Sequence, residues 1–357
     1  MRIDQIKKQL QDFFFLQEAD KDIYFTEVTH IPGAARGVFG GQVVAQSLAC
    51  AILTVDTKFR AHSLHSYFLL AGKKDVPIYY HVERIRDGKS FASRTVVAKQ
   101  KGKIIFSLSA SFQKPEFSHI THQHKAPAVI PINEAERKNR GSGGSSEKNY
   151  SFDDDEYLVD VGALKLSVIR AKPEDKELDK NLGLSKLHNI RYRAENGIPY
   201  EENEIRAPYD LTWYKIIKNL EHLAPQVHQC ILAYISDWGF LSTSRFPHAY
   251  GYNAKKNSLD MTVSLDHTIW FHSDIRVDKR FLFESESTRM VNSRALVYGR
   301  VYNSSGELCA SVSQEGLVRA SNLTKSVPKP LYFKSTFPKL DNTTAPDSSG
   351  PKMFAKL

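Results

Sequence analysis

Apolar and polar residues alternate from Leu259 to His272. Leu259, Met261, Val263, Leu265, Ile269 and Phe271 are apolar, and Asp260, Thr262, Ser264, Asp266 and Thr268 lie between them. A period of two is the mark of a half-buried strand, so the stretch is expected to be one strand with Ser264 on its polar face. Near the end of the same region, Leu308, Ala310, Val312 and Val318 define the apolar face of another strand, and Gln314 falls on that face. An unpaired buried amide costs roughly 1–3 kcal/mol. Gln314 is therefore either paired structurally or engaged with a ligand. Residues 39–53 are apolar on most sides, which predicts a buried helix opening at the Gly40-Gly41 pair. Strands are expected over 61–70, 78–86, 90–99 and 103–113, with Asp87-Gly88 as a hairpin turn. After Glu204 a strand is expected near 211–217, then a helix after Pro225 with Val227, Ile231, Tyr234, Ile235 and Trp238 at helical spacing.

The two runs have the same order, helix then antiparallel strands, and related residues. Ser63-Leu-His-Ser-Tyr-Phe68 resembles Ser264-Leu-Asp-His-Thr-Ile-Trp-Phe271. Setting Gly102 on Gly306, a shift of 204 (306 − 102), lays Ile104, Phe106 and Leu108 on Leu308, Ala310 and Val312. The chain is read as a duplicated α+β unit. Residues 1–117 form the first unit with a short amphipathic helix at its start, and residues 204–322 the second. Residues 118–203, with Arg140-Gly-Ser-Gly-Gly-Ser-Ser-Glu147 and Asp153-Asp-Asp-Glu156, are expected to be a partly low-complexity linker or insertion, and 323–357 a polar tail. The copies differ where chemistry would sit. The same shift puts Gln314 on Ala110, and only the second helix carries an acid, Asp237, beside its apolar residues.

The length of 357 residues suits two domains, and no apolar run is long enough to span a membrane. The three scattered cysteines, Cys50, Cys230 and Cys309, argue against a disulfide framework or zinc site. A net charge of +9 favours an anionic partner, but the basic residues are spread along the chain without the stripe that nucleic acid requires, and a phosphorylated small molecule suits them equally. The terminal Ala355-Lys356-Leu357 is one step from the Ser-Lys-Leu address read by the peroxisomal import receptor, which predicts a peroxisomal matrix location.

Gly88-Lys-Ser90 lacks the leading glycine of a P-loop, and no G-x-S-x-G elbow occurs. Ser264 and His267, three apart on one expected strand, should face opposite ways, and His62 and His65 are mis-spaced for a shared metal. No metal and no cofactor is expected. Asp237, Ser264 and Gln314 remain, a carboxylate, a hydroxyl and an amide able to hold one water for general-base hydrolysis. A buried Asp-Ser-Gln network that serves only the fold fits the same spacing.

The chain resembles the thioesterase II (TesB-type) acyl-CoA thioesterases, and among them the peroxisomal members. The likeness lies in Phe39-Gly-Gly-Gln-Val-Val-Ala-Gln46, His62-Ser-Leu-His-Ser-Tyr-Phe68, Val82-Glu-Arg-Ile-Arg-Asp-Gly-Lys-Ser-Phe91, Ala233-Tyr-Ile-Ser-Asp237, Ser264-Leu-Asp-His-Thr-Ile-Trp-Phe-His272 and Gln314-Glu-Gly316. The resemblance implies a tandem, or double, hotdog fold, an acyl-CoA substrate, and Asp237, Ser264 and Gln314 as the catalytic trio whose water attacks the thioester. A hotdog enoyl-CoA hydratase and a non-catalytic acyl-CoA-binding module are the alternatives. The hydratase would want a His within a few residues of the acid, where Asp237 is followed by Trp-Gly-Phe-Leu-Ser. Hotdog dimers place one helix start opposite a partner carboxylate. By that analogy Gly40 and Gly41 are expected to hold the thioester oxygen, with His65 a further candidate to line the cleft and a homo-oligomer possible. Tight helix packing explains the Gly pair equally well.

Overall fold

The computed structural model describes residues 3–31, 37–127, 156–161, 164–170, 207–248, 259–320 and Leu331. The low-complexity run 140–147 and the terminal Ala355-Lys356-Leu357 lie outside them.

In helix α1 (Ile3–Phe14), Ile6, Leu10 and Phe14 recur every four residues and are buried, as expected of a short amphipathic helix. Strands β1 (Gln17–Asp20) and β2 (Ile23–Thr26) lead to helix α2 (Gly40–Leu53), in which every residue after Gly40 is buried. Strands β3 (Arg60–Phe68), β4 (Ile78–Asp87), β5 (Phe91–Gln100) and β6 (Lys103–Gln113) follow, each within two residues of its expected bounds. The second unit repeats the plan. Strand β9 (Tyr209–Ile216) precedes helix α3 (Pro225–Ser236), a 3-10 segment (Phe240–His248), and strands β10 (Leu259–Ser264), β11 (Asp266–Phe271), β12 (Phe281–Val291), β13 (Arg294–Asn303) and β14 (Leu308–Ala320). The equated glycines are the same device: Gly102 (φ 77°) and Gly306 (φ 83°) both take the left-handed backbone that turns β5 into β6 and β13 into β14.

With β7 (Glu156–Val161) and β8 (Leu164–Arg170), which precede β9, all described strands form one sheet in the order β1-β2-β4-β5-β6-β3-β11-β14-β13-β12-β9-β8-β7, with β10 also on β14. The halves join edge to edge where β3 meets β11, antiparallel, with Asp266 opposite Tyr67 and Trp270 opposite Ser63. This pairing removes the open edge that each half would otherwise present. Each half wraps its sheet round its own long helix, and α2 packs against α3 in the middle of a shared apolar core. This is the tandem hotdog architecture.

Two features depart from the sequence reading. A hairpin, β7 (Glu156–Val161) with β8 (Leu164–Arg170), lies inside the expected linker and extends the sheet by pairing with β9. Its Val, Ile, Leu and Tyr content is that of a strand pair and was masked by the acidic run just before it. The stretch 259–272 is also two strands. The pairs Ser264 with Gly316 and Thr268 with Ser313 differ by one residue in register, so a bulge falls between them. Leu265 accepts from the Phe68 N–H, and the Asp266 carboxylate accepts from the Glu315 N–H at 2.7 Å, holding the bend. One extra residue reverses the alternation. Ser264 and His267 therefore share a face, where an unbroken strand would have set them on opposite ones.

Candidate active site

Helix α3 ends at Asp237, its C-cap, with Gly239 at φ 68° turning the chain away. A carboxylate is disfavoured at its own helix's C-terminus, where the backbone carbonyls point. The start of α2 compensates. The Gly41 N–H donates to the Asp237 carboxylate, and a Cβ on Gly40 would lie 2.8 Å from Oδ2 and 2.8 Å from the Phe68 ring. A Cβ on Gly41 would collide with the Tyr234 carbonyl oxygen and the Phe39 ring. The glycine pair thus lets the first turn of α2 lie against the last turn of α3. Phe39 seals the crossing with edge contacts to Tyr234 and Trp238.

The other two expected residues arrive from the sheet. Gln314, fully buried on β14, donates from Nε2 to Asp237 Oδ1 at 2.7 Å and to Ser264 Oγ at 2.5 Å. Ser264, at the end of β10, donates to the same Oδ1 at 3.3 Å. One carboxylate oxygen is thus held by an amide and a hydroxyl, while Oδ2 lies toward Gly40. Burial pushes the Asp237 carboxyl up from 3.8 to about 6, against the lowering effect of the bonds from Gln314, Gly41 and Ser264. Such a group is ionised at neutral pH yet basic enough to take a proton.

Two expectations need correction. His65 is exposed and on the opposite face of β3 from Leu64, Ser66 and Phe68. Its ring meets Trp270 and lies 3.5 Å from Thr268 Oγ1. Strand alternation sets it on the other side of β3 from Phe68, whose ring meets Gly40 beside Asp237. Gly41 is beside the site as expected, but its N–H serves the carboxylate and is not free for a substrate oxygen. The sequence reading missed Phe68, which walls the site against Gly40, and His267, whose shared face with Ser264 the bulge hides.

The matching place in the first half is filled. Thr54 is the C-cap of α2 as Asp237 is of α3, and Arg94 pairs with Ala110 as Val297 pairs with Gln314. The buried Arg94 guanidinium donates to Thr54 Oγ1 at 2.8 Å, the Thr54 carbonyl at 2.9 Å and the Arg86 carbonyl at 3.0 Å, and it meets Asp87 at its outer edge.

The family comparisons fit this geometry. A family model described as acyl-CoA thioesterase matches residues 192–317, and one described as acyl-CoA thioesterase N-terminal domain matches residues 30–113. Acyl-coenzyme A thioesterase 8 of Mus musculus is 34% identical over 310 residues, covering 85% of this chain and 87% of the relative. The chain belongs to the TesB-type acyl-CoA thioesterase family. The peroxisomal acyl-coenzyme A thioester hydrolase 1 of Saccharomyces cerevisiae is 27% identical over 317 residues, 80% of this chain and 87% of that protein. Among solved structures, the acyl-CoA thioesterase II TesB2 of Mycobacterium marinum superposes with a TM-score of 0.62 at 28% identity, covering 87% of this chain and 98% of that one. Within the TesB-type frame the two matched segments correspond to the two hotdogs, and the Asp237 cluster lies where they meet.

Proposed function

We propose that this acyl-CoA thioesterase hydrolyses fatty acyl-CoA to a free fatty acid and CoA at Asp237, Ser264 and Gln314. The observation that carries the reading is the convergence of a buried amide and a hydroxyl on one oxygen of a carboxylate whose proton affinity burial has raised. Oδ2 takes a proton from a water, and the water oxygen adds to the thioester carbonyl carbon. The tetrahedral oxyanion collapses with cleavage of the C–S bond. The proton on Asp237 passes to the departing sulfur, which leaves as the CoA thiol. The first-turn amide of Gly40, whose N–H the helix does not satisfy internally, together with the dipole of α2, supplies the positive end for the oxyanion. Release of free thiol from a long-chain acyl-CoA is the direct test. Binding without thiol release would support the binding-module alternative, and loss of enoyl-CoA absorbance the hydratase.

The base works only when ionised, so the rate is low below the Asp237 pKa and rises as pH passes through about 6. The expected profile of log kcat/KM has unit slope on its acid limb and a plateau above pH 7. A rate that stays flat down to pH 4.5, with the protein folded, would remove Asp237 from the role of base.

The same proposal places the enzyme in the peroxisomal matrix through Ala355, Lys356 and Leu357, supported by the peroxisomal relative in yeast. Deleting Leu357 should disperse a fluorescently tagged protein into the cytosol while the purified enzyme keeps its kcat. Retained punctate localisation would speak against the address.

A further inference from the structure

We propose that His267 is a positioning residue for this site, whose Nδ1–H donates to Gln314 Oε1 and thereby fixes which end of the amide faces Asp237. The inference rests on the Asp237, Ser264 and Gln314 reading above and adds a residue that does not touch the substrate.

Thr268 on β11 lies opposite Ser313 on β14. One step back along each antiparallel strand sets His267 opposite Gln314, and residues facing across a ladder project on the same side. Both side chains are fully buried. Both hydrogens of Gln314 Nε2 are committed, one to Asp237 and one to Ser264. That leaves Oε1, a buried acceptor with no hydrogen-bond partner, on the side chain facing His267, whose buried Nδ1 has none either. An unmatched acceptor and an unmatched nitrogen on neighbouring side chains satisfy each other if the nitrogen carries the proton. The far side of the ring accommodates that tautomer. Nε2 lies 2.9 Å from Ser236 Oγ, which is also 3.0 Å from the Ala233 carbonyl, so with the proton on Nδ1 the single Ser236 hydrogen turns from that carbonyl to Nε2. Burial lowers the ring pKa to about 4, so the imidazole is neutral wherever Asp237 is ionised.

The result is a closed ring of bonds from Ser236 through His267 and Gln314 to Asp237, the residue after Ser236. Its use follows from the shape of an amide, whose oxygen and nitrogen ends are nearly the same size. Flipped, Gln314 would set Oε1 against the Asp237 carboxylate, two acceptors facing each other. A donor at the far end makes the flip break both contacts at once. The first half supplies a comparison within the chain. There the matching cross-strand pair is Leu64 and Ala110, both apolar and both buried. The buried histidine occurs only where the buried glutamine does.

His267→Leu, which copies the first half, is expected to lower kcat by roughly 10- to 100-fold with KM little changed. His267→Asn, whose amide nitrogen can stand where Nδ1 stands, should keep kcat within about fivefold of wild type. If His267 acts through Gln314, then His267→Leu added to Gln314→Ala changes the residual kcat by less than about twofold. Fully additive losses, or equal losses in the Leu and Asn variants, would overturn the proposal. Should His267→Leu fail to fold, His267→Asn is compared with His267→Gln, which places its amide at the Ser236 end. Asn must then exceed Gln by about tenfold, and parity or the reverse overturns the proposal. Asp237→Asn separates this inference from its foundation. An inactive Asp237→Asn beside a fully active His267→Leu refutes the histidine alone, whereas an active Asp237→Asn removes the site and the inference together.

Discussion

Asp237→Asn is expected to reduce kcat by roughly 10²- to 10⁴-fold and to abolish the acid limb of the pH profile, because an amide of the same shape cannot accept the water proton. The same variant should change how stability depends on pH. Burial raises the folded Asp237 pKa from 3.8 to about 6, so between those values the folded protein holds a proton that the unfolded chain has released. Its contribution is fully present below about pH 4 and is lost as pH rises through about 6. The ceiling on that loss is on the order of 3 kcal/mol, from roughly 1.4 kcal/mol per pKa unit. Asn does not titrate, so the stability of Asp237→Asn relative to wild type should move in the variant's favour as pH rises from 4 to 7. Denaturant melts at the two pH values together with thiol-release kinetics test both halves of this expectation. A variant with near-wild-type turnover and an unaltered pH slope would contradict the assignment of the base and the source of its pKa.

The second large effect is expected from Gly41→Ala. The new methyl would meet the Tyr234 backbone carbonyl and the Phe39 ring, and a carbonyl inside a helix cannot rotate aside. Helix α2 must move off α3, drawing the Gly41 N–H away from the Asp237 carboxylate. Overpacking of this kind costs roughly 1–3 kcal/mol, so a lower melting temperature should accompany a fall in kcat of at least about tenfold. Gly40→Ala gives a different signature. Its methyl meets the Asp237 carboxylate and the Phe68 ring, both side chains that can shift, so kcat should drop with a smaller change in melting. If Gly41→Ala left both kcat and melting unchanged, the close crossing of α2 and α3 would not be what holds the carboxylate.

Most of this arrangement was legible in the chain. The hydrophobic periods located α2, α3 and strands β3 to β6, because burial on one face writes the period directly into residue order. Gln314 stood out by the same logic, as a polar residue in an apolar register. What could not be read arose from backbone events that leave no period of their own. A bulge at Leu265 shifts the alternation by one residue, so the period sets Ser264 on the outer face and hides that it shares a face with His267 and Gln314. His65 belongs to a motif that the resemblance singled out, but a motif does not say which side of a strand faces the cleft. The Gly40-Gly41 pair was expected to hold substrate. That Gly41 instead holds a carboxylate depends on the distance between two helices about 190 residues apart in the chain, which no local pattern encodes.

Arg94 gives the duplication a consequence for how the two halves can change. Its guanidinium fills the space at the end of α2 that corresponds to that of Asp237 and Gln314 at the end of α3, so under the proposed function the reacting centre belongs to the second half. The filled side is bound only by packing and hydrogen-bond closure, and the open side must also satisfy a substrate. Substitutions around Arg94 should therefore be felt in how firmly the molecule holds together, whereas equivalent changes around Asp237 alter what it does. The two halves can diverge under separate demands while remaining one continuous sheet.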